Sequence, residues 1–306
     1  MKKIERVYIS GLGAVGCAYG SKIYDMDPAC LKVIASKERI HRYTEKGITI
    51  NGKPYSFNYI HPGEQAEPAD LILVAVKQHH LLQAIEDMRN FVGKDTIILS
   101  LLNGISSEEI LGAHFGMDKL LYAYCVGIDA VREETRVYFS NGGKVVFGEK
   151  NNQTISSNTA AVKEFFERAH IPYSIPEDMM RSLWWKFMLN VGINQTSAVL
   201  KAPYGVFQTI PEARELMEST CREVVRLSVE TGINLTDDDI ADFIRVLGTL
   251  GADGKTSMLQ DVEAGRKTEV EIFAGTIIEL GKKYGVPTPI NDTLYKMIRT
   301  LEQSYT

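Results

Sequence analysis

Two kinds of hydrophobic periodicity divide the chain. Up to about residue 175, short apolar runs alternate with segments of helical period, an order typical of a parallel sheet with right-handed helical crossovers. The runs at 71–76 and 96–101 are apolar without alternation, as central strands covered on both faces should be. The predicted strands are Val7–Ser10, Leu31–Ala35, Leu71–Val76, Thr96–Leu101 and Leu120–Val126.

Two turn sequences predict antiparallel hairpins beside this sheet. Asn51-Gly52 stands between the runs 48–50 and 55–57, and Asn141-Gly142-Gly143 stands between two further β-rich runs. Asn and Gly adopt positive φ angles readily, which a two-residue type I′ turn requires. We therefore expect a tight hairpin at each place.

The second half of the chain has a helical period throughout. Strand-like runs stop after the segment 171–176, and we place the domain boundary there, between residues 1–175 and residues 176–306. The acids at 237–239 follow Thr236 and predict a capped helix N-terminus rather than a metal site. The predicted helices are Glu177–Leu200, Glu212–Thr231, Asp237–Leu247, Glu263–Tyr284 and Asn291–Ser304.

Composition and charge exclude several classes of protein. The chain has 306 residues and a net charge of −5, which argues against a nucleic-acid-binding surface. No apolar stretch reaches transmembrane length and Met1–Arg6 has no signal-peptide character, so we expect a cytoplasmic protein without a membrane partner. The cysteines and histidines lack metal-site spacing, so we expect no metal and buried free thiols. The cysteines are Cys17, Cys30, Cys125 and Cys221.

A glycine motif carries the first chemical signal. It follows the strand Val7–Ser10 and opens a helical segment, the context in which GxGxxG binds the pyrophosphate of a dinucleotide. The fold class predicted is therefore an α/β Rossmann domain with a doubly wound, mainly parallel sheet, followed by an all-α C-terminal domain. The motif residues expected to bind the cofactor are Gly11, Leu12, Gly13, Ala14, Val15 and Gly16.

Residues after three predicted strands indicate which dinucleotide binds and where. The second strand ends in Ser36, Lys37 and Arg39 rather than in the acid that would bind a ribose hydroxyl, which favours NADP over NAD. The alternative is that the two cations are only solvated residues at a helix start. Lys77 and Asn103 follow the next two strands and could contact cofactor or substrate, since ligands bind at the carboxyl ends of parallel strands. The alternative is that they are only surface residues.

One helix carries a polar stripe on an otherwise apolar sequence. Lys186, Asn190 and Asn194 recur every four residues and share one face. A solvated face would normally carry several charges, so a stripe that lines a cleft is the better interpretation. The segment 257–271 is also polar, but spacing alone does not separate a catalytic Glu269 from exposed helix charges.

Together these segments resemble the ketopantoate reductase (2-dehydropantoate 2-reductase) family over nearly the whole chain. The generic match is GLGAVG at 11–16. More specific are RSLWWKFMLNVGIN at 181–194 and SMLQDVEAGRKTE at 257–269. AVK at 75–77, LNG at 102–104 and GVPTPIN at 285–291 add to them.

The resemblance implies reduction of 2-dehydropantoate to (R)-pantoate with NADPH, a step of pantothenate biosynthesis. Lys186 would be the general acid and Glu269 would contact it and the substrate. The substrate would be lined by Asn103, Asn190, Asn194 and Ser257, with Lys77 near cofactor and substrate. We expect a small 2-oxo acid as the partner, and a homodimer is left open.

Several positions depart from the family pattern and keep alternatives open. Gln195 stands where Pro is common in the family, Ser106 where Gly is frequent, and Gly254 where an Asn can occur. The usual Asp and Asn after TE are Glu271 and Ala274. One alternative is a reductase of another small oxo or hydroxy acid on the same scaffold. Another is a non-catalytic NADP-sensing protein, against which the presence of both Lys186 and Glu269 speaks.

Overall fold

The computed structural model describes residues 3–304. Met1 and Lys2, which the sequence analysis placed ahead of the first strand, lie outside the described residues, as do residues 305 and 306. The chain divides into two compact units between Met179 and Met180. The domain division into residues 1–175 and 176–306 stays a prediction.

The first unit is built on a large, mainly parallel sheet. Its order is β12-β11-β8-β7-β6-β1-β2-β5, and β8 and β11 form its antiparallel pair in the described chain. A second sheet of order β4-β3-β10-β9 accompanies it. The strands are β1 (Val7–Ser10), β2 (Leu31–Ile34), β3 (Ile48–Ile50), β4 (Lys53–Tyr55), β5 (Asn58–Ile60), β6 (Leu71–Val74), β7 (Ile97–Ser100), β8 (Leu120–Ile128), β9 (Val131–Glu133), β10 (Arg136–Tyr138), β11 (Gly142–Gly148) and β12 (Tyr173–Ser174).

Helices cover both faces of the large sheet because its strands are apolar on both sides. Val7 and Ile9 belong to one buried cluster, while Tyr8, between them, belongs to the other, as strand alternation requires. This layered arrangement confirms the predicted Rossmann fold. The helices of this unit are α1 (Ala14–Met26), α2 (Lys37–Lys46), α3 (Leu81–Met88), α4 (Ser107–Phe115) and α5 (Ser157–Arg168).

The second unit is helical in the described chain, which confirms the predicted all-α C-terminal region. Its third long helix begins as expected from the acids at 237–239, because the Asp239 carboxylate accepts the Thr236 backbone N–H at 2.7 Å. The helices are α6 (Met179–Leu200), α7 (Tyr204–Thr209), α8 (Pro211–Glu230), α9 (Asp237–Leu247), α10 (Ser257–Glu263), α11 (Ala274–Tyr284) and α12 (Pro289–Gln303).

The predicted continuous helix Glu263–Tyr284 is wrong. Helix α10 ends at Glu263, and Gly265 adopts a φ of +61°. The N–H of Arg266 then donates to the Asp261 carbonyl at 2.8 Å, and that of Gly265 to Val262 at 3.1 Å. These two bonds are the Schellman pattern that ends helices at glycine. The chain therefore turns before α11.

The two hairpin predictions have different outcomes. Asn51 and Gly52 have φ of 49° and 79° between the antiparallel β3 and β4, so the type I′ hairpin is confirmed. The hairpin at Asn141-Gly142-Gly143 is wrong, because the flanking strands belong to different sheets. Here the Asn141 side chain accepts the Gly143 N–H at 2.9 Å, which turns the chain from β10 of the small sheet into β11.

Candidate functional site

The glycine motif lies where the strand order of the large sheet reverses. Strand β1 has β2 on one side and β6 on the other, which is the position where doubly wound sheets bind ligands. Gly11 has a φ of +101°, and a Cβ there would lie 2.6 Å from the Ala75 carbonyl oxygen. A Cβ on Gly16 would lie 2.0 Å from the Gly11 oxygen. Both glycines are thus required by close backbone packing.

Gly13 differs from the other two glycines of the motif. A Cβ there would meet only the Ala75 oxygen, at an ordinary 3.7 Å, so packing within the chain does not require glycine. Gly13 caps α1 without a side-chain hydrogen bond, which leaves backbone N–H groups of the first turn available to an anion. Leu12 is buried beneath this turn, and Ala14 and Val15 begin the helix. The arrangement fits the pyrophosphate of a dinucleotide.

The residues expected at the 2′-phosphate follow β2 on the same edge of the sheet. Ser36, Lys37 and Arg39 are all exposed. Ser36 caps α2, where its hydroxyl oxygen accepts the Arg39 backbone N–H at 3.3 Å. Burial and the Arg39 charge lower the pKa of His80, which sets this histidine within electrostatic range of Arg39. No sequence pattern gave His80 a role at this edge.

Lys77 and Asn103 follow neighbouring strands, β6 and β7. Lys77 is half-buried and begins a 3-10 turn, in which its carbonyl accepts the His80 N–H at 2.8 Å. Asn103 is half-buried and precedes Gly104, which has a φ of +94°. Both residues lie on the loops at the carboxyl edge of the sheet, where the sequence analysis expected them.

The polar stripe is buried rather than solvated along part of its length. Asn190 is 5% exposed and Asn194 6% exposed, while Lys186, one turn earlier on α6, is half-buried. The Asn194 amide donates to the Asn190 Oδ1 at 3.3 Å and its own Oδ1 accepts the Ser257 hydroxyl at 3.1 Å. The structure thus brings together three of the predicted substrate-binding side chains. Ser257 itself is exposed at the start of α10.

Glu269 is buried, with 8% of its surface exposed, so it is not an exposed helix charge. It lies at the start of the 3-10 turn Val270–Ile272 that follows the break after α10. The preceding residue fixes this turn, because the Glu302 carboxylate accepts both the N–H and the hydroxyl of Thr268 at 2.7 Å. Lys186, Glu269 and the stripe belong to the helical unit, and the glycine motif, Lys77 and Asn103 to the sheet unit.

One residue near Ser257 was missed by sequence reasoning. The ring of Tyr204 occupies the space beside Gly254, so that a Cβ on Gly254 would approach the ring to 2.8 Å. The Tyr204 N–H also donates to the Gly254 carbonyl at 2.9 Å, and burial raises the pKa of its phenol. An aromatic ring thus fills the space beside Gly254. No local pattern links residues so far apart in sequence.

The cysteines and the helices of the described chain bear on three further predictions. Cys17, Cys30 and Cys221 are buried free thiols, as expected, and Cys125 is partly exposed. Residues 3–304 contain no cluster of three or more His, Cys, Asp or Glu side chains that could hold a metal ion. None of the helices in that range combines the length and apolarity needed to cross a membrane.

A Rossmann unit with an uncapped glycine-rich helix start, followed by a helical unit with a buried amide stripe, defines a nicotinamide-dependent oxidoreductase of two units. Residues 7–152 match the family described as Ketopantoate reductase PanE/ApbA, and residues 178–302 match Ketopantoate reductase PanE/ApbA C terminal. The chain belongs to the ketopantoate reductase family.

Similar proteins extend over almost the entire chain. A 2-dehydropantoate 2-reductase of Streptococcus pyogenes serotype M6 is 24% identical, covering 97% of both chains. One from Archaeoglobus fulgidus is 25% identical, covering 98% of this chain and 99% of its own.

Solved structures share the fold at lower identity. A D-mandelate dehydrogenase with NADH and anilino(oxo)acetate has a TM-score of 0.86 and 22% identity, covering 98% of this chain and 99% of its own. A ketopantoate reductase from Ralstonia eutropha JMP134 has a TM-score of 0.84 and 23% identity, with the same coverage. A dimeric ketopantoate reductase from Staphylococcus aureus has a TM-score of 0.80 and 20% identity, covering 98% and 100%.

Proposed function

We propose that this chain reduces a 2-oxo acid with NADPH, and that its substrate is 2-dehydropantoate, which it converts to (R)-pantoate for pantothenate biosynthesis. The observation that carries the proposal is the hydrogen-bonded set Asn190, Asn194 and Ser257, one helical turn from Lys186. A polar surface with a single ammonium suits a small anion with a ketone. The family and the curated relatives support the reaction class.

In this proposal Lys186 is the general acid. When bound, the reduced nicotinamide supplies the hydride. The Lys186 ammonium stabilises the charge that develops on the ketone oxygen and donates a proton to it. A carboxylate favours the charged form of a neighbouring amine, and we assign that role to the buried Glu269. Ser257, exposed at the start of α10, binds the substrate carboxylate.

The amide stripe fixes the position of Ser257 rather than acting on protons itself. The Asn194 Oδ1 accepts both the Ser257 hydroxyl and the Met258 backbone N–H, the latter at 3.3 Å. This ties the start of α10 to the helix that carries Lys186. Asn103 and Lys77, on the loops after β7 and β6, are proposed to bind the cofactor.

The choice of NADPH over NADH rests on the end of β2. Three exposed residues there provide a hydroxyl and two positive charges, Ser36, Lys37 and Arg39. Cations pair well with the 2′-phosphate of NADP. An NAD enzyme would instead have an acid at this position, which binds the ribose hydroxyl. We further propose a homodimer, as described for the Staphylococcus aureus relative.

A second candidate is a reductase of another 2-oxo acid. It is favoured by the Tyr204 ring beside Gly254, which offers an aromatic surface, and by the fold shared with D-mandelate dehydrogenase, whose complex contains NADH and anilino(oxo)acetate. In that case a bulkier, less polar substituent would occupy the same place.

The deciding experiment is a panel of substrates whose reduction is measured by the absorbance of the nicotinamide. The purified protein is supplied with NADPH or NADH and with 2-dehydropantoate, an aromatic 2-oxo acid, a branched aliphatic 2-oxo acid, and the methyl ester of each. We expect the highest kcat/KM with 2-dehydropantoate and NADPH, and a large loss with the esters. A preference for the aromatic acid selects the second candidate. If the neutral methyl esters are reduced as well as the acids, both candidate functions are rejected.

A further inference from the structure

A carboxyl group is buried beside the loop that carries Asn103. Glu108, in the first turn of α4, is 1% exposed. Its Oε2 accepts the Ser107 hydroxyl at 2.9 Å, and the Ser107 and Ser100 hydroxyls are 2.7 Å apart. Ser100 ends β7 and Ser107 begins α4, so this hydrogen bond closes the base of the loop 101–106.

Glu108 also occupies a gap in the sheet. Strand β7 pairs with β8 only through Ile98 and Leu99, and β8 then continues along β11. Past that point the Ala123 N–H of β8 donates to the Glu108 Oε1, at 3.3 Å. The carboxylate therefore replaces β7 as hydrogen-bond acceptor where that strand turns into the Asn103 loop.

The charge of Glu108 is balanced by dipoles more than by cations. Burial raises its pKa to about 7, opposed by the hydrogen bonds from Ser107 and from backbone N–H groups. Glu109 raises the pKa further, and Tyr122 on β8 lies within electrostatic range. Strand β7 brings no ionisable side chain. The remaining elements packed on α4 bring Glu86 and Asp87 of α3, and Asp118 and Lys119 of the turn after α4.

Protonation of Glu108 on Oε1 removes one hydrogen bond, and protonation on Oε2 leaves one buried hydroxyl without an acceptor. A proton on Oε1 excludes the Ala123 N–H. A proton on Oε2 reverses the serine bonds, so that Glu108 donates to Ser107 and Ser107 to Ser100. The Ser100 oxygen already accepts the Leu102 N–H at 3.4 Å, and its own hydrogen then loses the Ser107 acceptor. The charged form consequently holds the loop better.

We propose that Glu108 is a positioning residue which, in its charged form and through Ser107 and Ser100, holds the loop 101–106 so that Asn103 can meet the dinucleotide. The assignment rests on the proposed role of Asn103 in the cofactor site. It adds a pH-dependent element to dinucleotide binding, with tighter binding where Glu108 is ionised.

The test is a titration of the full chain with NADH, which has no group that ionises near pH 7, followed by nicotinamide fluorescence from pH 5.5 to pH 8.5. We expect the Kd of the wild type to rise about three- to tenfold as the pH falls through about 7, the effect of losing one hydrogen bond or leaving one buried hydroxyl unpaired. In Glu108→Gln this step should disappear. Glu109→Gln, which removes the exposed neighbouring charge, should keep it.

A second measurement covers the case in which Glu108→Gln does not fold. Ser107→Ala leaves the carboxyl in place but cuts its connection to Ser100, so the pH step in the Kd should shrink and backbone amides 101–106 should exchange hydrogen faster than in Glu109→Gln. A step that persists in Glu108→Gln, or an unchanged step and exchange in Ser107→Ala, overturns the proposal. No substrate is used, so failure of the proposed reductase activity would appear separately.

Discussion

Lys186, Asn190 and Asn194 share one helix face but differ in burial and in hydrogen bonding. The two amides are buried and hydrogen-bonded to each other, and Asn194 reaches across to α10. Lys186 is half-buried. At the scale of single residues, the stripe is therefore a support for α10 with one cation at its end.

The Lys186 assignment makes a sharp kinetic prediction. Lys186→Ala should lower kcat by about 10²–10⁴, the usual effect of removing a general acid, while the Kd for NADPH stays unchanged. The wild-type rate should fall at alkaline pH as the ammonium deprotonates, and the mutant should lack that limb. Steady-state rates measured across pH give kcat and its alkaline limb, and stopped-flow binding of NADPH gives the Kd.

A matched control for Lys186 is Lys282, an exposed lysine on α11 of the same unit. Lys282→Ala should retain the wild-type rate and pH profile. If Lys186→Ala folds, binds NADPH and reduces substrate within about threefold of wild type, transition-state stabilisation by this residue is below about 1 kcal/mol, and the assignment is wrong.

Arg39 tests the cofactor preference. Arg39→Ala should weaken NADPH binding about tenfold or more, since a charge-assisted hydrogen bond to phosphate contributes about 1.5–3 kcal/mol. NADH binding should change little because NADH lacks the 2′-phosphate. Lys46→Ala, in the last turn of the same helix, serves as control. Equal losses for both cofactors would falsify the 2′-phosphate assignment.

At the scale of elements, the turn from β1 into α1 separates two reasons for glycine. A Cβ on Gly16 would lie 2.0 Å from the Gly11 oxygen, whereas one on Gly13 has 3.7 Å to its nearest neighbour. The Gly13 backbone, with a φ of −74° and a ψ of −167°, is also accessible to alanine. Gly16 is therefore required by packing, whereas packing does not require Gly13, and we assign to Gly13 the approach of a ligand.

Gly16→Ala should mainly lower stability, whereas Gly13→Ala should mainly weaken dinucleotide binding. Gly16→Ala should lower the free energy of unfolding by about 1–3 kcal/mol or more through overpacking. Gly13→Ala should unfold at the wild-type temperature but bind either dinucleotide at least tenfold more weakly. Differential scanning calorimetry and fluorescence titration provide the two measurements. Undiminished binding by Gly13→Ala would place the pyrophosphate elsewhere.

For the whole molecule, buried acids make stability depend on pH. Burial raises the pKa of Glu108 from 4.5 to about 7. It also raises that of the Cys17 and Cys30 thiols from 9.0 to about 11, and that of Cys221 to about 12. Each group binds its proton more tightly in the folded state than in the unfolded state. Its contribution to the free energy of unfolding is therefore complete below the pKa of the unfolded state, and is lost as the pH rises to the pKa of the folded state.

Urea unfolding should therefore show two declines in the free energy of unfolding as the pH rises. The first lies between about pH 4.5 and 7 and the second above about pH 9. At about 1.4 kcal/mol per pKa unit, the first amounts to about 3 kcal/mol. Glu108→Gln should remove the first decline and leave the second, and Glu109→Gln should leave both. A flat profile between pH 4.5 and 7 in wild type contradicts a buried, titrating Glu108.

The sequence by itself determined the central strands, the glycine-rich turn and the identity of the fold. Apolar runs and the glycine motif predict the strands around β1, β6 and β7, because period and turn residues are local properties. The spacing of Lys186, Asn190 and Asn194 placed them on one face for the same reason. Family resemblance then supplied the roles proposed for Glu269 and Ser257, which no spacing distinguishes.

Only the tertiary structure decided the features that depend on distant contacts. The burial of Glu108, beside an exposed Glu109, follows from the place where β7 and β8 separate, and Tyr204 meets Gly254 across a gap of 50 positions in the chain. Burial and packing between elements are sums over the whole fold, so neighbouring residues in sequence do not encode them.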